Sequence, residues 1–293
     1  KTAYEIYQCD WSSDVCSSDL AQPDPADWLM WRRTLNSWGF SPLNQIDRTN
    51  VNRLSMVWTR GLGPGVQEGT PLVYKGVMYF PNPSDYIQAI DAATGKLKWE
   101  YKRKYPDDLG KFIPFPSINR NLAISGDKII DTSADDFLFA LDATTGKLAW
   151  ETRMLDYRET PAQETAGPLI AAGKIFSTRG CEAKFSPDGC VILAHDAANG
   201  KELWRTRTIP KPGQPGGDSW GDLPDGQRRH VGAWMVPSYD PELNMLFVGT
   251  SVTAPAPKIF LAGNDKKYLY HNSTLDRKST RLNSSHTDVS RMP

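Results

Sequence analysis

Three stretches of the chain repeat one phrase: Ala89-Ile90-Asp91-Ala92-Ala93-Thr94-Gly95-Lys96-Leu97-Lys98-Trp99, Ala140-Leu141-Asp142-Ala143-Thr144-Thr145-Gly146-Lys147-Leu148-Ala149-Trp150, and Ala194-His195-Asp196-Ala197-Ala198-Asn199-Gly200-Lys201-Glu202-Leu203-Trp204. Each reads as a β-hairpin. A strand runs into Asp, a Thr-Gly or Asn-Gly turn supplies positive φ, and a second strand carries a Trp. The period of about fifty residues points to a solenoid or a propeller. Upstream of each phrase lie two more short apolar runs, split by Gly76, Gly126 and Gly173. Four strands per unit make a propeller blade, so the expected fold is an all-β propeller of four-stranded blades. A large indole recurring at one place in every unit suits packing between blades, so Trp99, Trp150 and Trp204 are assigned to the core.

The 293 residues carry zero formal net charge and 39% hydrophobic residues, the profile of a globular protein with no basic surplus for nucleic acid. No apolar run is long enough to span a bilayer. Residues 1–20 and 276–293 lack the strand pattern. Both ends resemble translated adaptor or vector sequence, with disordered native tails as the alternative, and 21–275 is read as a partial propeller. The first twenty residues also lack the basic start and apolar stretch of a secretory signal. Cys181 and Cys190 flank a short loop with Pro187-Asp188-Gly189 at its tip. That arrangement suggests a disulfide and an oxidising compartment, against the alternative of two reduced thiols in a cytosolic propeller.

The remaining motifs resemble one family. The lead-in has Ser41-Pro42-Leu43 and Asn50-Val51-Asn52-Arg53-Leu54, and the blade phrase is Asp-Ala-x-Thr-Gly-Lys-x-x-Trp. Both are similar to the opening and repeat of the quinoprotein alcohol dehydrogenases, the pyrroloquinoline quinone (PQQ) enzymes of the methanol and ethanol dehydrogenase type. The resemblance covers about Trp28 to Leu275. It implies an eight-bladed propeller of which about half is present, a periplasmic location, PQQ and Ca²⁺ as cofactors, an alcohol substrate and a cytochrome c as electron acceptor.

Residue by residue, the resemblance implies that Glu68 in Val66-Gln67-Glu68-Gly69-Thr70 contacts the quinone and that Arg120 in Ile118-Asn119-Arg120 binds one of its carboxylates. A guanidinium suits that task because it offers two parallel donors. It also implies that Thr165 hydrogen-bonds the cofactor, that Trp234 lies flat against its ring, and that Glu182 in Gly180-Cys181-Glu182 ligates Ca²⁺, a hard cation that prefers carboxylate oxygen. Two departures stand out. Pro114 and Phe115 replace the family's adjacent cysteines, and Val252 replaces its calcium-ligating Asn.

The family's catalytic Asp would lie beyond this chain, so no catalytic residue is assigned and the chain alone is expected to be inactive. In the whole enzyme Ca²⁺ would polarise a quinone carbonyl, the Asp would take the alcohol proton, and hydride would pass to the quinone. The competing reading is a non-catalytic propeller scaffold of the outer-membrane assembly type. It would need none of Glu68, Arg120, Thr165, Glu182 or Trp234. Asp218 and Asp222, in a long Pro/Gly loop, are read as turn carboxylates. His195, at a position filled by Ile90 and Leu141 in the other units, is read as structural.

Overall fold

A computed structural model describes residues 24–35, 37–181, 186–254, 258–263 and 265–278, which leaves Glu182 outside the described part. The repeats form blades. Blade 1 is β1 (Leu72–Tyr74), β2 (Val77–Asn82), β3 (Tyr86–Asp91) and β4 (Leu97–Lys102), an antiparallel meander in that order. Blade 2 repeats it with β5 (Ala123–Ser125), β6 (Lys128–Thr132), β7 (Phe137–Asp142) and β8 (Leu148–Arg153). A short strand β9 (Ala162–Gln163) then precedes blade 3, built from β10 (Leu169–Ala171), β11 (Lys174–Cys181), β12 (Val191–Asp196) and β13 (Glu202–Arg207); β9 pairs with the end of β11. Blade 4 is a sheet of three strands, β14 (Ser238–Asp240), β15 (Met245–Gly249) and β16 (Thr274–Lys278).

The repeated phrase is the corner of each blade. Asp91 Oδ1 accepts from Thr94 N at 3.0 Å and from Thr94 Oγ1 at 2.8 Å. Asp142 holds Thr145 the same way, and Asp196 accepts from Ala198 N and Asn199 N. These Asx-type turns leave Gly95, Gly146 and Gly200 at φ of 70°, 71° and 71°, where a Cβ would be strained. The same β-bulge follows in each blade, at Ala89/Ile90, Ala140/Leu141 and Ala194/His195.

The turn glycines also explain the tryptophans. A Cβ built on Gly146 would lie 2.5 Å from Trp99, and one on Gly200 would lie 2.4 Å from Trp150. The indole of one blade therefore lies on the bare turn of the next, and Trp99 Nε1 donates to Ala143 O at 2.9 Å. Gly95 in blade 1 receives an indole too, that of Trp58, whose Nε1 donates to Ala92 O at 3.0 Å. Trp58 thus takes toward blade 1 the place that Trp99 takes toward blade 2, although it belongs to the lead-in.

Residues 27–35 of the lead-in cross along the innermost strands. Trp28 bridges Val73, Asp27 accepts from Lys75 N, and Leu35 O accepts from Tyr239 N in blade 4. Leu29 enters the core shared by blades 1 and 2, and Met30 enters the core of blades 3 and 4. Burying each of these side chains contributes roughly 1.5–3 kcal/mol, so this crossing segment ties the ends of the arc together. The Cys181–Cys190 disulfide is formed, with Cα atoms 4.4 Å apart, and joins the end of β11 to the start of β12. The long loop packs Trp220, fully buried, edge-on to Tyr268 at 5.3 Å, while Asp218 and Asp222 stay exposed. His195 is fully buried in β12.

Candidate functional site

Arg120 sits just ahead of β5, at the start of blade 2. Its backbone carbonyl accepts from Thr70 N at 2.9 Å, which binds the approach to blade 2 to the approach to blade 1. Its guanidinium gathers three of the other sequence-predicted residues. Nη2 reaches Glu68 Oε2 at 2.6 Å, Nη1 donates to Thr165 Oγ1 and lies 3.4 Å from Thr165 O, and the group stands 5.4 Å from the ring centroid of Trp234. Glu68 comes from blade 1, Arg120 from blade 2, Thr165 from blade 3 and Trp234 from the segment leading to blade 4. Residues 166 positions apart in sequence thus surround one cation.

Local geometry places each of them. A Cβ on Gly69 would lie 2.2 Å from Pro81 O, so only glycine lets the chain carrying Glu68 pass this close to β2. Asn119 and Asn121, on either side of Arg120, are buried; Asn121 Nδ2 donates to Pro168 O at 3.1 Å, toward blade 3. Glu164, next to Thr165, is buried and accepts from Ala166 N at 2.6 Å and Gly167 N at 2.8 Å. Trp234 is 50% exposed beside the cation.

Behind this pocket lies a polar cluster that sequence reasoning missed. Asn119 Nδ2 donates to Asp85 Oδ1 at 3.1 Å and to Asp131 Oδ2 at 2.6 Å. Asp85 also accepts from Tyr105 Oη and from Ala134 N. Burial pushes the Asp85 carboxyl up to about 7, against the Tyr105 hydrogen bond, and pushes Asp131 well above the usual carboxylate range. Glu164 is raised by the same desolvation, partly offset by Arg179 and its two backbone donors. Arg179, fully buried, lies 3.4 Å from Asp136. A signal for part of this cluster existed in the repeat. Asp85 and Asp136 stand at the same offset before the hairpin Asp, and both have positive φ, at 51° and 68°. Cys190 holds the corresponding place in blade 3, where it is bonded to Cys181.

The predicted metal residue Glu182 lies outside the described residues. Among the described residues no group of His, Cys, Asp or Glu side chains is arranged to hold a metal ion. Val252 is exposed and brings no ligand oxygen in its side chain, and Ser251 Oγ accepts from Gly232 N. Phe115 is also exposed, its carbonyl accepting from Gln163 Nε2.

Antiparallel blades with indoles stacked on the turn glycines of their neighbours define a β-propeller, and a guanidinium flanked by a carboxylate, a hydroxyl and a half-exposed indole lies where the approaches to its blades meet. Residues 28–275 match the PQQ family, described as the glucose/ethanol/alcohol dehydrogenase β-propeller domain, and the chain belongs to that family. It is 34% identical over 251 residues to the quinohemoprotein alcohol dehydrogenase ADH IIB of Pseudomonas putida, covering 78% of this chain and 34% of that protein. Against the dehydrogenase subunit of the alcohol dehydrogenase (quinone) of Gluconacetobacter polyoxogenes it is 32% identical, over 80% of this chain and 34% of that subunit. The solved quinohemoprotein alcohol dehydrogenase ADHIIG of Pseudomonas putida superposes with a TM-score of 0.77 at 28% identity, covering 88% of this chain and 39% of the other. The chain therefore spans about a third of the length of these curated relatives.

Proposed function

We propose that this chain is the PQQ-binding portion of a quinone-dependent alcohol dehydrogenase. The observation that carries the reading is the convergence of Glu68, Thr165 and Trp234 on the Arg120 guanidinium. The residues fit the cofactor. PQQ is a planar aromatic tricarboxylate, and the pocket offers a cation for a carboxylate, a hydroxyl for a further hydrogen bond and an indole face for the ring. Bound there, the quinone would supply the acceptor for the hydride leaving the alcohol carbon.

The chain's own residues bind and orient. Trp234 provides a flat contact that makes no hydrogen-bond demand. Arg120 would hold a ring-borne carboxylate, and Glu68, 2.6 Å from the guanidinium, would help to orient that cation. Glu68 is the only carboxylate in an ion pair with Arg120 among the described residues. On this reading the chain binds quinone. Ca²⁺ with Glu182 as a ligand, a periplasmic location and a cytochrome c acceptor complete the reading on the sequence match alone.

The test is titration of the chain with PQQ, following tryptophan quenching. Saturable quenching that disappears in Trp234→Phe and weakens on the order of a hundredfold in Arg120→Met, through loss of a charge-assisted hydrogen-bond pair of about 2–3 kcal/mol, supports it. Binding unaffected by either change points to a propeller without a cofactor site.

A further inference from the structure

Arg120 and Thr165 reach the pocket from different blades, so their spacing depends on whatever locks the entry to blade 2 against the entry to blade 3. Two consecutive buried residues at the end of β6 make that connection. Asp131 Oδ2 accepts from Asn119 Nδ2 at 2.6 Å and its Oδ1 accepts from Thr132 N at 2.8 Å, anchoring the residue before Arg120. Thr132 Oγ1 donates to Glu164 Oε2 across the blade boundary, anchoring the residue before Thr165. The other oxygen of Glu164 is committed to Ala166 N and Gly167 N, so Thr132 is its side-chain partner from blade 2. Neither Asp131 nor Thr132 is bonded to Arg120, Thr165 or Trp234.

We propose that Asp131 and Thr132 form a positioning post that sets the spacing between Arg120 and Thr165, and with it the pocket's affinity for a ring-borne carboxylate. The proposal rests on the reading of the pocket as a quinone site. The physical reason is that a ligand-binding side chain is only as well placed as the buried hydrogen bonds behind it. Asp85 and Tyr105 stand beyond Asn119 from Asp131, and Arg179 bears on Glu164, so the post is built among buried, hydrogen-bonded groups.

The experiment uses the full chain with Thr132→Val, which keeps the side-chain shape and removes the hydroxyl, and Thr132→Ser, which restores it. PQQ and its trimethyl ester are titrated against each, the ester sharing the ring but lacking the anions. The Val variant is expected to bind PQQ about tenfold more weakly with little change toward the ester, and the Ser variant to recover wild-type affinity. An equal loss for both ligands would assign Thr132 to general stability and overturn the proposal, as would wild-type PQQ affinity in the Val variant. If wild type binds no PQQ, the quinone reading falls and the positioning role is decided without ligand. The Trp234 emission, taken as the difference against Trp234→Phe in each background, must then shift in Thr132→Val as it does in Arg120→Met. An unchanged Trp234 component overturns it.

Discussion

Replacing His195 with leucine should stabilise this protein, and by more in acid than at neutral pH. His195 lies in β12, opposite Ile175 on one side and Glu202 on the other, and both ring nitrogens lack a partner among the described residues. Burial drives its pKa down to about 4 from 6.5, against a small opposing pull from Glu202. The unfolded chain therefore binds a proton below about pH 6.5, whereas the folded chain resists doing so until about pH 4. The stability associated with the neutral imidazole is complete above the unfolded pKa and is lost as pH falls toward the folded one. A shift of that size corresponds to about 3 kcal/mol across the window. At neutral pH His195→Leu removes two unpaired buried nitrogens, a gain of about 1–2 kcal/mol, and the equivalent blade positions already hold Ile90 and Leu141. The assay is urea denaturation of both proteins near pH 7 and near pH 4.5, compared by difference. The raised carboxyls of Asp85 and Asp136 titrate in both proteins and cancel. A stability gap that stays constant between the two pH values would refute the reasoning.

Two further outcomes follow from the blade geometry. Gly146→Ala places a Cβ at φ 71° and within 2.5 Å of the Trp99 ring. It should destabilise the protein by about 2–4 kcal/mol, since the left-handed backbone alone costs about 1–2 kcal/mol, whereas Gly126→Ala (φ 56°, nothing within 4 Å) should show only the backbone part; thermal melts distinguish the two. Reducing Cys181–Cys190, or replacing both with Ala, should lower stability by about 2–3 kcal/mol because the bond closes a loop with a separation of only 9 residues. Urea midpoints with and without reductant measure that loss, and equal midpoints would remove the disulfide from the account.

Some of this molecule is legible without coordinates. The hairpin phrase carries its own physics: an Asp that caps a turn, a glycine that accepts positive φ and an indole two strand positions later. Such local instructions survive in any context, which is why the blades stand where the repeats place them. Motif matches also singled out Glu68, Arg120, Thr165 and Trp234, but spacing could not show that they meet at one guanidinium. Trp58 is instructive as well. Its neighbours lack the blade phrase, and only the turn of blade 1 beneath its ring reveals that it packs as the blade tryptophans do.

What the sequence determined alone is therefore the unit: strand, turn and bulge, each set by residues within a dozen positions of one another. What only the tertiary structure decided is how the units share their polar groups. Asn119 between Asp85 and Asp131, and Thr132 against Glu164, are partnerships across as many as 34 residues. Their side chains would be ordinary solvated groups on an isolated blade. It is the packing of neighbouring blades that removes water from them, raises the carboxyl pKa values and makes each hydrogen bond obligatory.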